Sequence, residues 1–234
     1  MRIAIRRKVA AMTCAASLLA FGAACGGSGE ASEAAVSPTP SPQQSAAAAE
    51  LRTLVAQADR RTFQATYDAT IEGDELSGSG TLLLAQADGR EVTRLSLSEA
   101  EGIPFREIVL VAGGEKTTAC FGDGDRGTCL KASGDVGDTF RNPLDLTALL
   151  ERVTGDGEVT RVDDEAPGGI PSRCYKSSSD GQDGIACFAT ESGIPTRLDA
   201  TSDGSRVKLA VTSIADDVDG DVFETPRDYV TLGR

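Results

Sequence analysis

The stretch that decides the fold is residues 63–71, FQATYDATI, in which apolar and polar residues alternate. All five odd-numbered residues are apolar, so an extended chain would place them on one side of a strand. Alternation over this length is typical of a β-strand with one buried face. Glu72-Gly73-Asp74 follows directly and predicts a turn at the end of the strand.

Comparable strand-like runs occupy most of the remaining chain. They lie at 81–86, 92–97, 105–112, 157–163, 171–178, 184–190, 194–202 and 205–214. Because helices do not alternate with these runs, they predict an antiparallel sheet rather than parallel βαβ units. A sheet of about 10–11 strands is too large to stay flat, so we expect it to curl into an open half-barrel.

Two amphipathic helices are predicted to cover this sheet, over residues 46–60 and 142–153. The second begins at Asn142-Pro143, a typical helix start, and ends at Gly155. The apolar residues at helical spacing are Leu51, Leu54, Val55 and Ala58 in the first helix, and Leu146, Leu149, Leu150 and Val153 in the second. The sequence therefore predicts an α+β domain, an open curved antiparallel sheet with helices packed on its concave face.

The first 24 residues have the pattern of an export signal. Four basic residues precede an apolar run that is too short to span a bilayer, and glycines and serines follow. Ala23-Ala24-Cys25 resembles a bacterial lipobox, although Gly22 stands where an aliphatic residue is usual. The resemblance implies that Cys25 carries a diacylglyceryl anchor on the outer face of the cell membrane. The alternative is an ordinary signal peptide with an unmodified Cys25.

Residues 25–45 differ in composition from the rest of the chain. They are rich in Pro, Ser and Ala and hold almost no large apolar side chain, so they predict a disordered tether. Residues 46–234 are then long enough for a single domain. The protein is expected to hang from the membrane by this tether.

Four cysteines lie in the body: Cys120, Cys129, Cys174 and Cys187. An even count in an exported chain indicates disulfides, and four cysteines allow three pairings. The local pairing, Cys120–Cys129 with Cys174–Cys187, fits best because each pair flanks a turn-rich stretch between two strand-like runs. A zinc site is disfavoured because the chain has no Cys-x-x-Cys spacing and no His.

Composition excludes several classes of function. The chain carries 36 acidic and 23 basic residues, a formal charge of −13, which argues against a nucleic-acid partner. The absence of His removes Ser-His-Asp catalysis and His-ligated metals. The acidic residues cluster with glycine in turns, and the run Asp216–Asp221 lacks the spacing of an EF-hand loop. We therefore expect neither an enzyme nor a cofactor.

The order of elements resembles the LolA-like superfamily of bacterial envelope lipid carriers, of the LppX and LprG type. It is more specifically similar to small actinobacterial lipoproteins. The residues that carry this second likeness are Cys120, Cys129-Leu130, Pro143–Leu150, Cys174-Tyr175, Cys187-Phe188 and Phe223-Glu224-Thr225-Pro226. The carriers hold acyl chains in a cavity between sheet and helices, and the resemblance implies such a cavity here.

Two functions follow as hypotheses. The first is non-catalytic binding of a lipid or other apolar ligand between sheet and helices. The candidate lining residues are Leu54, Val55, Leu83, Val109, Val111, Leu146, Leu149 and Leu150. The second is a tethered scaffold or sensor that has a filled core and presents its acidic surface to an unidentified envelope protein.

Overall fold

The computed structural model describes residues 42–74, 76–114, 116–133, 158–179, 182–202 and 204–232. Within these ranges one α-helix, α1 (Pro42–Ala58), precedes all the strands. The strands are β1 (Phe63–Glu72), β2 (Ser77–Ala87), β3 (Arg90–Glu101), β4 (Glu107–Gly113), β5 (Lys116–Gly122), β6 (Gly127–Ser133), β7 (Glu158–Arg161), β8 (Ser172–Ser179), β9 (Gln182–Ala189), β10 (Pro195–Ser202), β11 (Ser205–Ala215) and β12 (Tyr229–Leu232). Short 3₁₀ turns occupy Pro167–Gly169 and Gly220–Phe223. The signal segment and the second predicted helix lie outside the described residues.

All twelve strands belong to one open sheet, in the order β12-β6-β5-β4-β3-β2-β1-β11-β10-β9-β8-β7. Every neighbouring pair is antiparallel except β12 and β6, which are parallel. The expected large antiparallel sheet is therefore confirmed, while the described residues show one helix rather than two. Both the twelfth strand and its parallel pairing differ from expectation. β12 reaches β6 after residues 216–228 have crossed the sheet, and no hairpin signal marks such a connection.

Helix α1 begins four residues earlier than the sequence indicated, inside the stretch assigned to the tether. Proline is favoured at the first helical position, where its missing N–H costs nothing. The four missed residues, Pro42–Ser45, hold no large apolar side chain, so apolar periodicity alone does not detect them. The expected apolar stripe is confirmed, since Leu51, Leu54, Val55 and Ala58 are all buried.

The register of the strands defines two faces, because paired residues on neighbouring strands point to the same side. One row of partners crosses seven strands: Tyr67, Leu82, Leu95, Ile108, Phe121, Thr128 and Val230. Ala58 of α1 packs in one cluster with Tyr67 and Leu82, so the helix lies on this side. We call this side the helix face.

The opposite side is covered over β2–β6 by residues 216–229, which we call the strap. Phe223 and Tyr229 of the strap pack against a cluster that includes Val92 and Val109. The Arg90 guanidinium lies 4.3 Å from the centre of the Phe223 ring, a cation–π contact. We call this side the strap face.

Tyr229 is held in a slot between two glycines. Gly122 and Gly127 face each other at the end of the β5–β6 hairpin, and a Cβ atom on either would overlap the tyrosine ring. The Tyr229 hydroxyl donates to Glu107 Oε2 at 2.6 Å. Burial first, and then this hydrogen bond, raise the pKa of Tyr229 to about 12. The slot therefore fixes where β12 joins the sheet.

Both disulfides have the local pairing. Cys120–Cys129 joins β5 to β6 and Cys174–Cys187 joins β8 to β9, with Cα separations of 3.9 and 4.0 Å. In each bridge the two cysteines are direct cross-strand partners. Loops of this length predict about 2–3 kcal/mol of stabilisation for each bridge in the chain-entropy account.

We predict that Gly127→Ala lowers the free energy of unfolding by about 1–3 kcal/mol, as overpacking does in a filled site. The new methyl group would occupy the space of the Tyr229 ring and displace β12. Urea denaturation measures the loss.

The matched control is Gly184→Ala in β9. There a Cβ would meet its nearest neighbours at 3.4–3.6 Å, which is ordinary contact. We expect this variant to be as stable as the wild type or slightly more stable, because alanine restricts the unfolded chain. Equal losses of unfolding free energy in the two variants would contradict the claim that Gly127 makes room for the Tyr229 ring.

Candidate functional site

The part of the helix face under α1 is sealed. Leu51 is fully buried, and Leu54 and Val55 pack with it against β7–β9 at Tyr175 and Phe188. Gly193, at a φ of +73°, lets the turn before β10 approach the helix, since a Cβ there would clash with the Leu54 carbonyl oxygen. This contact is core packing.

Polar contacts fix both ends of the sealed contact. In the middle of α1, Glu50 Oε1 accepts a hydrogen bond from Arg173 at 2.5 Å and lies 3.6 Å from Arg161 Nη1. At the other end, Gln57 and Arg61 donate to the Glu191 carbonyl oxygen at 2.5 and 2.8 Å. These contacts fix the helix from its middle to its C-terminal end.

The same cluster perturbs two titratable groups. Burial raises the pKa of Tyr175, and the neighbouring Glu50 adds to the rise. The pKa of Arg161 is raised first by its hydrogen bond with Asp164 and further by Glu50. Both shifts favour the forms present at neutral pH, so the cluster keeps the charges that its ion pairs need.

The helix face over β4–β6 and β12 is different. Within the described residues, the buried side chains of α1 group with β1, β2 and β7–β9 and not with these strands. The large apolar side chains here are half-buried or exposed. We call four of these side chains the open apolar face: Ile108, Leu110, Phe121 and Leu130; Val230 and Leu232 continue the surface onto the outermost strand, β12, beyond it. The open apolar face is the candidate functional site.

The structure does not bring the predicted lining residues together. Leu54 and Val55 lie in the sealed contact on the helix face, whereas Leu83, Val109 and Val111 lie on the strap face with Phe223. The sheet itself separates the two groups, so one cavity between helix and sheet cannot include both. Leu146, Leu149 and Leu150 lie outside the described residues, as does Cys25, and their roles stay predictions.

The continuous apolar run of β4 explains this outcome. Residues 108–112, IVLVA, carry no alternation, so the sequence does not tell which side chains face the helix. Val109 pairs with Cys120, and Leu110 with Ala119. The disulfide pairing would have shown which side chains share a face. If Cys120 and Cys129 are cross-strand partners on one face, then the next residues, Phe121 and Leu130, lie on the other face.

Other polar clusters in the described residues do not form a reactive site. Glu165 lies beside Cys174 and Cys187, but the two sulfurs are bonded to each other and cannot ligate a metal as thiolates. An open groove of about 380 Å³ on the strap face has three glutamates, Glu72, Glu99 and Glu101, among serines and threonine. Lys208 pairs with Glu72 at 3.1 Å there.

The run Asp216–Asp221 serves the turn in which it lies. The Asp219 side chain accepts a hydrogen bond from the Asp221 backbone N–H at 3.1 Å and caps the 3₁₀ turn of the strap. Within the described residues, no helix is long and apolar enough to cross a membrane.

Comparison with solved structures places the sheet among known folds. No family model and no curated protein matches the sequence. MucB matches with a TM-score of 0.50 and 14% identity, over 78% of this chain and 64% of MucB. The likeness to MucB is one of fold. This chain thus spans less than two thirds of the length of MucB. The complex of MucA and MucB from Pseudomonas aeruginosa also matches, with a TM-score of 0.49 and 15% identity, over 77% of this chain and 62% of the matched chain.

Two mycobacterial proteins match over nearly their whole length. Lipoprotein LppX of Mycobacterium tuberculosis has a TM-score of 0.47 and 12% identity, over 75% of this chain and 98% of LppX. LprF of Mycobacterium bovis has a TM-score of 0.46 and 11% identity, over 78% of this chain and 97% of LprF. The matches therefore include LppX, one of the LolA-like lipoproteins that the order of elements resembles.

We predict that truncating a leucine costs much more stability in the sealed part of the helix face than in the open part. Leu51→Ala removes a fully buried side chain and is expected to cost about 2–5 kcal/mol of unfolding free energy. Leu130→Ala removes a side chain that is 38% exposed and is expected to cost under about 1 kcal/mol. Denaturant titration of both variants measures the difference. A large loss in Leu130→Ala would mean that the open apolar face is core.

Proposed function

We propose that the protein is an exported lipoprotein, anchored through Cys25, that binds a lipid or other apolar ligand without catalysis. The proposed site lies on the helix face, between the open apolar face and the second predicted helix. The observation that carries the proposal is the contrast within one face: α1 seals one half, and the other half presents apolar side chains that no described helix covers.

The chemistry of this surface suits an apolar ligand. The large side chains that line it are aliphatic or aromatic, and Thr128 adds a hydroxyl group. Sites for small apolar ligands combine such walls with a small number of polar groups. Contiguous apolar surface on a soluble domain marks a place where something binds, because leaving it in water costs free energy in proportion to its area.

The path of the chain supports a second wall. Residues 134–157 join β6 to β7, which are second and last in the strand order. Ten strand spacings separate them, roughly 48 Å along the sheet, and 24 residues are long enough to cross even with a helix in the middle. The strap already occupies the other face over β2–β6.

We therefore place the crossing on the helix face. The helix predicted over 142–153 would then direct Leu146, Leu149 and Leu150 toward Leu110 and Phe121. A concave sheet, as expected for a half-barrel, would shorten the crossing and leave space between the two walls. In this arrangement the lining residues predicted for the second helix are kept. Those predicted for the sheet are replaced by the residues of the open apolar face.

Further support comes from the state of the acidic residues. Asp199 accepts hydrogen bonds from the Arg206 side chain. These bonds hold the pKa of Asp199 below its usual range, although burial acts in the opposite direction. Arg197 pairs with Glu165 at 2.6 Å. Carboxylates engaged in surface ion pairs favour a binding protein over a glycosidase-like enzyme, which needs a free acid and base facing one cleft.

The alternative is a tethered module that binds a protein. The observation that favours it is the likeness in fold to MucB, which is found in complex with MucA. In that case the open apolar face would receive a segment of the partner or be filled by the chain itself, and lipid would not bind.

We predict that lipid co-purifies with the exported protein and that Phe121→Ala lowers its amount several-fold. The full chain with Cys25→Ser, which lacks the acylation site, is purified without detergent, weighed by native mass spectrometry and extracted with organic solvent. Leu209→Ala is the matched control, since Leu209 is a partly buried residue of the helix face in the sealed half. We expect it to keep the wild-type lipid content.

Two results would decide against a carrier. A clean apoprotein that also takes up no added lipid would favour the protein-binding module. Equal lipid loss in both variants would move the site away from the open apolar face.

We predict that Cys25→Ser moves the protein from the membrane fraction to the soluble exported fraction. The thiol is the only group in the lipobox-like segment that can carry the diacylglyceryl anchor. Cys14→Ser is the control, because Cys14 lies inside the apolar part of the signal segment. Immunoblots of the two fractions measure the shift. Persistent membrane association of the Cys25 variant, or release of the Cys14 variant, would contradict the anchor.

A further inference from the structure

Exposed large apolar side chains are confined to one edge of the sheet. In the described part of the chain they are Leu130 at 38%, Val230 at 63% and Leu232 at 51% exposure. Leu130 and Leu232 are partners across β6 and β12, and Val230 lies two residues away on the same face. The three side chains form one patch at the β12 edge of the helix face, which we call the lip.

The opposite edge of the same face is closed. Val159 of β7 and Tyr175 of β8 are buried under α1. Arg161, at the outer end of this row, pairs with Asp164 at 2.9 Å and faces Glu50. An apolar ligand entering here would have to break ion pairs and displace packed core.

The lip is continuous with the open apolar face. Two rows of cross-strand partners run inward from the lip. One row leads from Leu232 and Leu130 to Leu110, and the other leads from Val230 to Phe121 and Ile108. Along the first row, exposure falls from Leu232 and Leu130 to Ala119 of β5, which is fully buried, and Leu110 behind it is half-buried. Along the second row, exposure falls from Val230 to half-buried side chains on β6, β5 and β4. The surface therefore leads from solvent into the proposed site without a polar barrier larger than Thr128.

Charge also singles out this edge. The chain has a formal charge of −13, yet the described helix-face side chains of β6 and β12 are all uncharged. An uncharged apolar lip on an acidic protein fits the surface of a zwitterionic bilayer, whereas an anionic surface would repel the body.

We propose that the lip docks on the lipid surface and that the apolar ligand passes between membrane and site over the β12 edge. This inference rests on the proposed function, because it names the entry to the same site. It also adds a separate claim, that Leu130, Val230 and Leu232 contact lipid.

The test uses the full chain with Cys25→Ser, so that binding does not depend on the anchor. Phosphatidylcholine vesicles that carry a pyrene-labelled phosphatidylcholine report uptake as a loss of excimer emission, and flotation reports docking. Val230→Asp/Leu232→Asp is expected to slow uptake at least about tenfold and to abolish flotation with the vesicles, because two aliphatic side chains leave the lipid. Thr231→Asp adds a charge to the same strand on the other face and is expected to behave as the wild type.

Two controls separate docking from folding and from binding. Thermal unfolding of the double variant should match the wild type within a few degrees, since both side chains are mostly exposed; Val230→Ser/Leu232→Ser replaces it if it does not. A pyrene-labelled lysophosphatidylcholine, offered as monomers without vesicles, should bind the double variant to the wild-type extent.

Each outcome has a distinct meaning. Wild-type uptake and flotation in the double variant would overturn the proposal that the lip docks on lipid and would leave the proposed function standing. A wild type that neither floats with vesicles nor takes up lipid from them, but binds the monomers, would also overturn the lip alone. A wild type that binds neither form of lipid would overturn both.

Discussion

The pairing of β1 with β11 is the constraint on which the rest of the structure depends. It joins two meanders, β1–β6 and β7–β11, through a register that runs from Gln64↔Ala215 to Glu72↔Arg206. Tyr67 lies in the middle of this pair, almost fully buried, and its hydroxyl donates to the Pro195 carbonyl oxygen at 2.8 Å. Burial raises the pKa of Tyr67, so the phenol stays protonated and keeps this bond. Since the meanders meet at β1 and β11, their far ends β6 and β7 must lie at opposite sides of the sheet.

That separation divides the helix face. Helix α1, with 17 residues, packs on the strands of the second meander together with β1 and β2, and its buried side chains do not group with β6. The chain has three tyrosines, and all three are buried at joins: Tyr67 between the meanders, Tyr175 under α1 and Tyr229 in the glycine slot. The few large rings are thus used where elements meet, and the open apolar face is left with aliphatic side chains and Phe121.

Local patterns in the sequence predicted local structure well. The alternation in 63–71 predicts β1, and the spacing of the cysteines predicts two hairpins that the disulfides confirm. Features that depend on distant contacts were not predictable in this way. The start of α1 depends on propensity without periodicity, and β12 depends on a tyrosine finding two glycines about a hundred residues away. Which side chains of β4 lie on the helix face depends on register, because Val109 and Leu110 are chemically alike and differ only in their cross-strand partners.

The same physical argument bears on both candidate functions. An apolar half-face is costly in water whether a lipid, a second helix or a partner protein covers it, so its existence alone does not choose among them. The gradient of exposure does discriminate. A surface covered only by the chain itself has no reason to continue, uncharged, to the outermost strand and to end in Val230 and Leu232 at the solvent boundary. A surface that exchanges an apolar molecule with a membrane needs an open, uncharged edge of this kind, opposite the edge that the ion pairs of Glu50 close.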